Sequence, residues 1–215
     1  MTQDKKIILY VAGALLILLV IFGIYSAIHP SSPSSSPISL TGTSTQSSDL
    51  PGLQTGDTPW LANIADLKGR LAAIGLPALP EEGTALHIHQ HIDIFVHGKP
   101  VEIPAGIGID ELGGFISPIH VHDTTGVIHV ESPTVQSFYL GQFFDIWGVA
   151  FDQNILGGYT TSATSTLRVY VNGKLIAGNP RDIELASHQE IVIAFGTESE
   201  LPSPIPKSFA FDPEL

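Results

Sequence analysis

The chain has 215 residues, 43% of them hydrophobic, and its 21 acidic against 9 basic side chains give a net charge of −12. Such a field repels nucleic acid and anionic membrane surfaces and draws in cations, which argues against a nucleic-acid partner. There is no cysteine, and no methionine after Met1, so disulfides, thiolate zinc sites, iron–sulfur clusters, c-type haem attachment and thioether copper sites are all excluded.

The first predicted element is apolar. From Ile7 to Ile28 the chain carries no charge, and about 22 residues at 1.5 Å rise span roughly 30 Å of hydrocarbon. Lys5 and Lys6 precede the run and no basic residue follows until Lys68, which places the N-terminus in the cytoplasm and the remainder outside. Ser26-Ala27 is a weak cleavage site, so residues 1–28 read as a retained single-pass transmembrane anchor in the cell membrane. Residues 29–58 are dominated by Ser, Thr, Pro and Gly and read as a linker. Residues 59–200 then read as one extracytoplasmic β-rich domain, and 201–215, with their prolines, as a tail that either lies along the domain or frays.

Within the domain, Trp60, Leu61, Ile64, Leu67, Leu71 and Ile74 recur at three and four residues, which predicts a helix over 59–74 capped by Thr58 and ended by Gly75. Leu86 to His97 alternates with a period of two and predicts a strand, turned at His97-Gly98-Lys99. Ile103 to Ile109 is an irregular extension. Phe115–His122 and Gly126–Glu131 predict a second hairpin. Leu140 to Gly148 lies in a helical region whose aromatic residues read as core.

A later segment repeats an earlier one. Asp93 to Val101 resembles Arg168 to Ile176, each turning at Gly-Lys, with Asn172-Gly173 a strong two-residue turn signal and a strand from Glu190 to Gly196 following. The expected fold is therefore mainly β: an antiparallel sandwich or half-open barrel with a flanking helix, behind one transmembrane helix.

Seven of the nine histidines fall between positions 87 and 129. His87, His89 and His91 alternate along one strand and project from one face, and His120, His122 and His129 lie on the second hairpin. Positions i and i+4 on a strand stand about 13 Å apart, so His87 and His91 cannot both reach one ion. Two alternate histidines can, if further ligands come from another strand. His120 falls opposite His129 for a two- or four-residue connection and on the other face if Gly126 forms a bulge; the sequence leaves both registers open. Asp93, Asp123 and Glu131 are carboxylates placed to ligate or to orient the rings. The ligand type suits Cu(II) or Zn(II) rather than calcium or magnesium. Alternatives are a structural polar network in a cell-surface interaction module with a protein partner, a metal-dependent hydrolase or oxidase with Glu131 or Asp123 as base, and a switch in which clustered imidazoles destabilise the hairpins on acidification. No helical His-Glu-x-x-His pattern, serine elbow or phosphate loop is present, so whether the domain is an enzyme stays open. His97 and His188 read as surface groups.

Leu86 to Val96, Ile103 to Gly108, His120 to Glu131 and Leu140 to Phe144 together resemble a family of membrane-anchored, secreted microbial proteins with HxHxH and HxHDxxGxIHxE-like motifs. The resemblance covers residues 85–148. It implies that these motifs form one unit, and it implies no activity.

Overall fold

The computed structural model describes the backbone of Ile38–Ser39 and residues 45–215. The expected anchor and the start of the expected linker lie outside the described residues. Among the described residues no helix is long and apolar enough to cross a membrane.

In chain order the strands are β1 (Ile38–Ser39), β2 (Leu86–Val96), β3 (Lys99–Val101), β4 (Ile109–Asp110), β5 (Phe115–Ile116), β6 (Ile119–His120), β7 (Val127–Ser132), β8 (Ile155–Leu156), β9 (Tyr159–Thr160), β10 (Thr166–Val171), β11 (Lys174–Ala177) and β12 (Glu190–Gly196). Helix α1 (Leu67–Ala73) precedes β2, and α2 (Leu140–Trp147) follows β7. The main sheet runs β1-β11-β10-β12-β2-β7-β6, with β3 also pairing with β2.

This corrects the expected antiparallel sandwich. The sheet is mixed, because β12 runs parallel to β2, with Ile191 opposite Ile92 and Ile193 opposite Ile94. It is not a closed barrel, and two short helices flank it. Both Gly-Lys hairpins do form. Val96 pairs with Lys99 and Val171 with Lys174. Each turn places two residues at positive φ, His97 (50°) and Gly98 (74°) in one, Asn172 (52°) and Gly173 (76°) in the other, the backbone that matches the twist of flanking strands. The two similar hairpins lie on either side of β12.

Alternation sorts the sheet into two faces. Ile92, Ile94, Ile128, Val130, Ile119, Ile191 and Ile193 point one way and are buried. Phe143, Phe144 and Trp147 of α2 belong to the same core, as their apolar density suggested. The opposite face carries the histidines.

The helix expected over 59–74 is shorter. Asn63 sits at φ 48°, a 3-10 turn covers Ile64–Asp66, and the α-helix begins only at Leu67. Buried Arg70 holds the chain before the helix open, donating to the Asn63 carbonyl at 2.5 Å and the Ile146 carbonyl at 3.0 Å. Gln54 occupies the Leu61 backbone at 2.8 and 2.9 Å. Thr58 therefore caps nothing. The strand expected over Phe115–His122 is also divided: β5 pairs with β4, and only β6 joins β7. Pro118, which has no N–H to donate, stands at the break.

Part of the expected linker is built into the fold. Leu50 is buried, and Gln46 donates to Asp145 at 2.9 Å and to the Val149 carbonyl at 3.0 Å. The tail lies on the histidine face, where Phe209 stacks on His91 at 3.9 Å and Phe211 on His188 at 4.7 Å.

Candidate metal centre

Three adjacent strands carry the centre. In the register of β2 against β7, His87 faces Glu131 and His89 faces His129; in that of β7 against β6, His129 faces His120. The even-loop register is thus the one formed. His89, His129 and His120 make one row across the sheet, with ring centroids 4.5 Å apart for the first pair and 5.3 Å for the second. His87 and His122 flank the row from the strand start and the loop after β6.

Two features fix the row. Gly126, at φ 84°, leads into β7, and a side chain there would meet the Ile92 carbonyl at 2.7 Å and the His91 ring at 3.1 Å. On the other side the extension over 103–109 pins β6: Gly106 donates to the Val121 carbonyl and Val121 to the Ile107 carbonyl, both at 2.9 Å.

Glu131 lies at the centre. Its Oε1 is 3.0 Å from His129 Nδ1, 3.3 Å from His87 Nε2, 3.9 Å from His89 Nε2 and 4.0 Å from His120 Nε2. Burial alone would raise the Glu131 pKa, but the His129 hydrogen bond and the positive potential of His120 and His87 bring it down to about 2. An ionised carboxylate sits in a nest of imidazoles.

The histidines pair off as sequence neighbours. His87 Nε2 and His89 Nε2 are 3.1 Å apart, and so are His120 Nε2 and His122 Nε2. For His120 the tautomer follows from its other nitrogen, which is 3.0 Å from the Ser117 carbonyl. A carbonyl only accepts, so Nδ1 carries the proton and Nε2 of the neutral ring presents a bare lone pair. That carbonyl–imidazole arrangement is how metal-ligating histidines are held in orientation. Burial lowers the His120 pKa to about 4, and burial with the neighbouring His129 and His87 does the same for His89. Both rings are therefore neutral at pH 7, the state a metal requires.

Three sets of donor atoms each lie within 4.8 Å of one another: His120, His122, His129 and Glu131; His87, His89 and Glu131; and His91, Asp93 and Glu190. Clusters able to coordinate a metal ion are thus present, and all six histidines singled out by sequence belong to one of them, five of them in the two sets that contain Glu131. The sixth, His91, lies in the third set. It groups with Asp93 and Glu190, but its Nε2 donates to the Thr125 carbonyl at 2.9 Å and its Nδ1 meets Glu190 Oε2 at 2.9 Å. Burial works against a charge on His91, yet the Glu190 contact outweighs it and the net shift is upward. With both nitrogens engaged, His91 joins β2 to β12 and to the 123–126 loop.

The expected orienting carboxylates also divide. Glu131 does hold His129. Asp123 accepts instead from the Thr125 amide at 2.8 Å, which shapes the loop, and Asp93 stands beside Glu190. Sequence reasoning missed Glu82, whose Oε1 is 3.4 Å from His122 Nε2 and 4.0 Å from His120 Nε2. It lies in a Pro-Glu-Glu-Gly loop outside the alternating strand that begins at Leu86, and its partners His120 and His122 are about 40 residues away in the chain, so periodicity does not mark it.

The centre is open to solvent on its His122 side. A cavity of about 490 Å³ is bounded by His122, His129, Val127, Phe209 and Leu215, and another of about 500 Å³ by Glu82, His122, Asp110 and Leu112. Compared with protein-family models, with curated proteins and with solved structures, the chain matches none.

Proposed function

We propose that this chain is a membrane-anchored extracytoplasmic protein whose domain binds a transition metal, Cu(II) or Zn(II), through its clustered histidines. The observation that carries the reading is the placement of five imidazoles and the Glu131 carboxylate together on one sheet face, with the His120 lone pair directed into the cluster by the Ser117 carbonyl. Nitrogen and carboxylate donors without sulfur suit these borderline ions. The acidic charge of the chain favours cation capture. The anchored location rests on the uncharged run Ile7–Ile28 behind Lys5 and Lys6, and on the resemblance to anchored secreted proteins.

A thermal titration tests the reading. The full chain in detergent, stripped with chelator, is melted with increasing Zn(II) or Cu(II). A ligand that binds only the folded state adds about 2.7 kcal/mol at a hundredfold excess over its Kd, so the melting temperature rises and saturates. His120→Ala plus His122→Ala diminishes the rise. An unchanged melting temperature in the wild type overturns the reading.

A second reading, a metal-dependent hydrolase or oxidase, is favoured by the cavity against His122 and His129, which gives an organic molecule access to the centre.

A further inference from the structure

The two His-x-His pairs make the same figure. His87 Nε2, His89 Nε2 and Glu131 Oε1 form a triangle with sides of 3.1, 3.3 and 3.9 Å. His120 Nε2, His122 Nε2 and Glu82 Oε1 form one with sides of 3.1, 3.4 and 4.0 Å. Each triangle admits a point about 2.0–2.1 Å from all three corners, the bond length of zinc to imidazole nitrogen and carboxylate oxygen. The figure arises twice from different elements: β2 with β7 in one case, the end of β6 with the 80–83 loop in the other.

One ion cannot serve both. Donors on a common ion with bonds of about 2.1 Å stand no more than about 4.2 Å apart. The His87/His89 pair and the His120/His122 pair fall in different sets, which share only Glu131. They stand on β2 and at β6, with β7 between them, and strands two apart are separated by about 10 Å. Glu131 and His129 come from that middle strand. The Glu131 oxygen of the first triangle is 4.0 Å from His120 Nε2 of the second, so the two positions are neighbours.

Resting on the metal-binding reading above, we propose that the centre is built for two ions, one held by His87, His89 and Glu131 and the other by His120, His122 and Glu82. His129 stands between the positions, its ring 4.5 Å from that of His89 and 4.6 Å from that of His122. Three protein ligands leave each ion a position for water or a further ligand. The second position opens on the cavity that Glu82 and His122 line.

Calorimetric titration of the chelator-stripped full chain with Zn(II) counts the ions. The expected stoichiometry is two per chain, falling to one in His87→Ala plus His89→Ala and to one in His120→Ala plus His122→Ala. Glu82→Gln weakens one of the two events at least tenfold and leaves the other. Two Cu(II) ions at adjacent positions also couple magnetically, so the integrated electron paramagnetic resonance of the fully loaded wild type falls below two spins per chain. The wild-type count needs no variant to fold. One ion per chain, abolished by either double substitution, overturns the two-ion centre while leaving metal binding intact. No bound ion at all overturns both.

Discussion

His89 and His129 stand directly opposite each other on β2 and β7, with ring centroids 4.5 Å apart and planes at 81°. Burial, with half-buried His129 so close, disfavours the protonated form of His89. His89 and His120 titrate near 4 in the folded protein against 6.5 when free. Between those values the unfolded chain binds more protons, so metal-free stability present above pH 6.5 is lost as the pH falls toward 4, by on the order of 2–3 kcal/mol for each ring. Glu131, depressed to about 2, adds a loss of the same sign below pH 4.5. His91 acts oppositely: its pKa is raised, so its contribution is full below 6.5 and fades as pH rises through the folded value. Urea melts of chelator-stripped protein from pH 7.5 to 4.5 should show a net fall on acidification. A flat or rising profile contradicts this account of the cluster.

Gly126 sets where β7 begins. A methyl group there meets the Ile92 carbonyl and the His91 ring, at a φ that side chains rarely adopt. Gly126→Ala should destabilise the domain by about 1–3 kcal/mol. It should also weaken zinc binding, because the same loop fixes His129 against His120. Wild-type affinity in a destabilised Gly126→Ala protein would show that the turn does not position the ligands.

Away from the centre, Asp145 and Arg181 form a buried ion pair at 2.8 Å beneath α2, and Gln46 adds a donor to the same carboxylate. Asp145→Ala leaves the guanidinium buried without its partner and should cost about 3–5 kcal/mol. Replacing both, Asp145→Leu with Arg181→Met, should recover much of that loss. Equilibrium unfolding of the two variants distinguishes the cases, and a double variant worse than the single one would contradict the argument.

Phe209 covers His91 with its planes 8° from parallel. Phe209→Ala should lower the melting temperature by a few degrees, as expected for a stacked aromatic contact worth about 1 kcal/mol. Zinc stoichiometry should stay unchanged, since His91 is not one of the assigned ligands. Loss of a bound ion in this variant would return His91 to the ligand set.

The parts of the fold that local pattern controls were legible. Alternation marked β2, the Asn172-Gly173 and His97-Gly98 turns were readable from turn chemistry, and α2 stood out by its aromatic residues. The parallel pairing of β12 with β2 was not, because contacts between residues about 100 positions apart leave no periodic trace. Helix α1 was overestimated because Gln54, from outside the segment, and Arg70, reaching back from within the helix, satisfy backbone groups before Leu67, and such side-chain bonds override propensity. At the centre, period two placed His87, His89 and His91 on one face and kept His87 and His91 off a common ion, leaving His89 free to pair with either. It did not show that Glu190 and Thr125 engage His91, or that a loop carries Glu82 to His122.

The most direct test of the account is elemental analysis of the full chain purified without an affinity tag or added metal, beside His120→Ala plus His122→Ala. Stoichiometric copper or zinc is expected in the wild type, with a clear loss in the variant. A wild-type protein that is metal-free as purified and takes up neither ion on titration contradicts it.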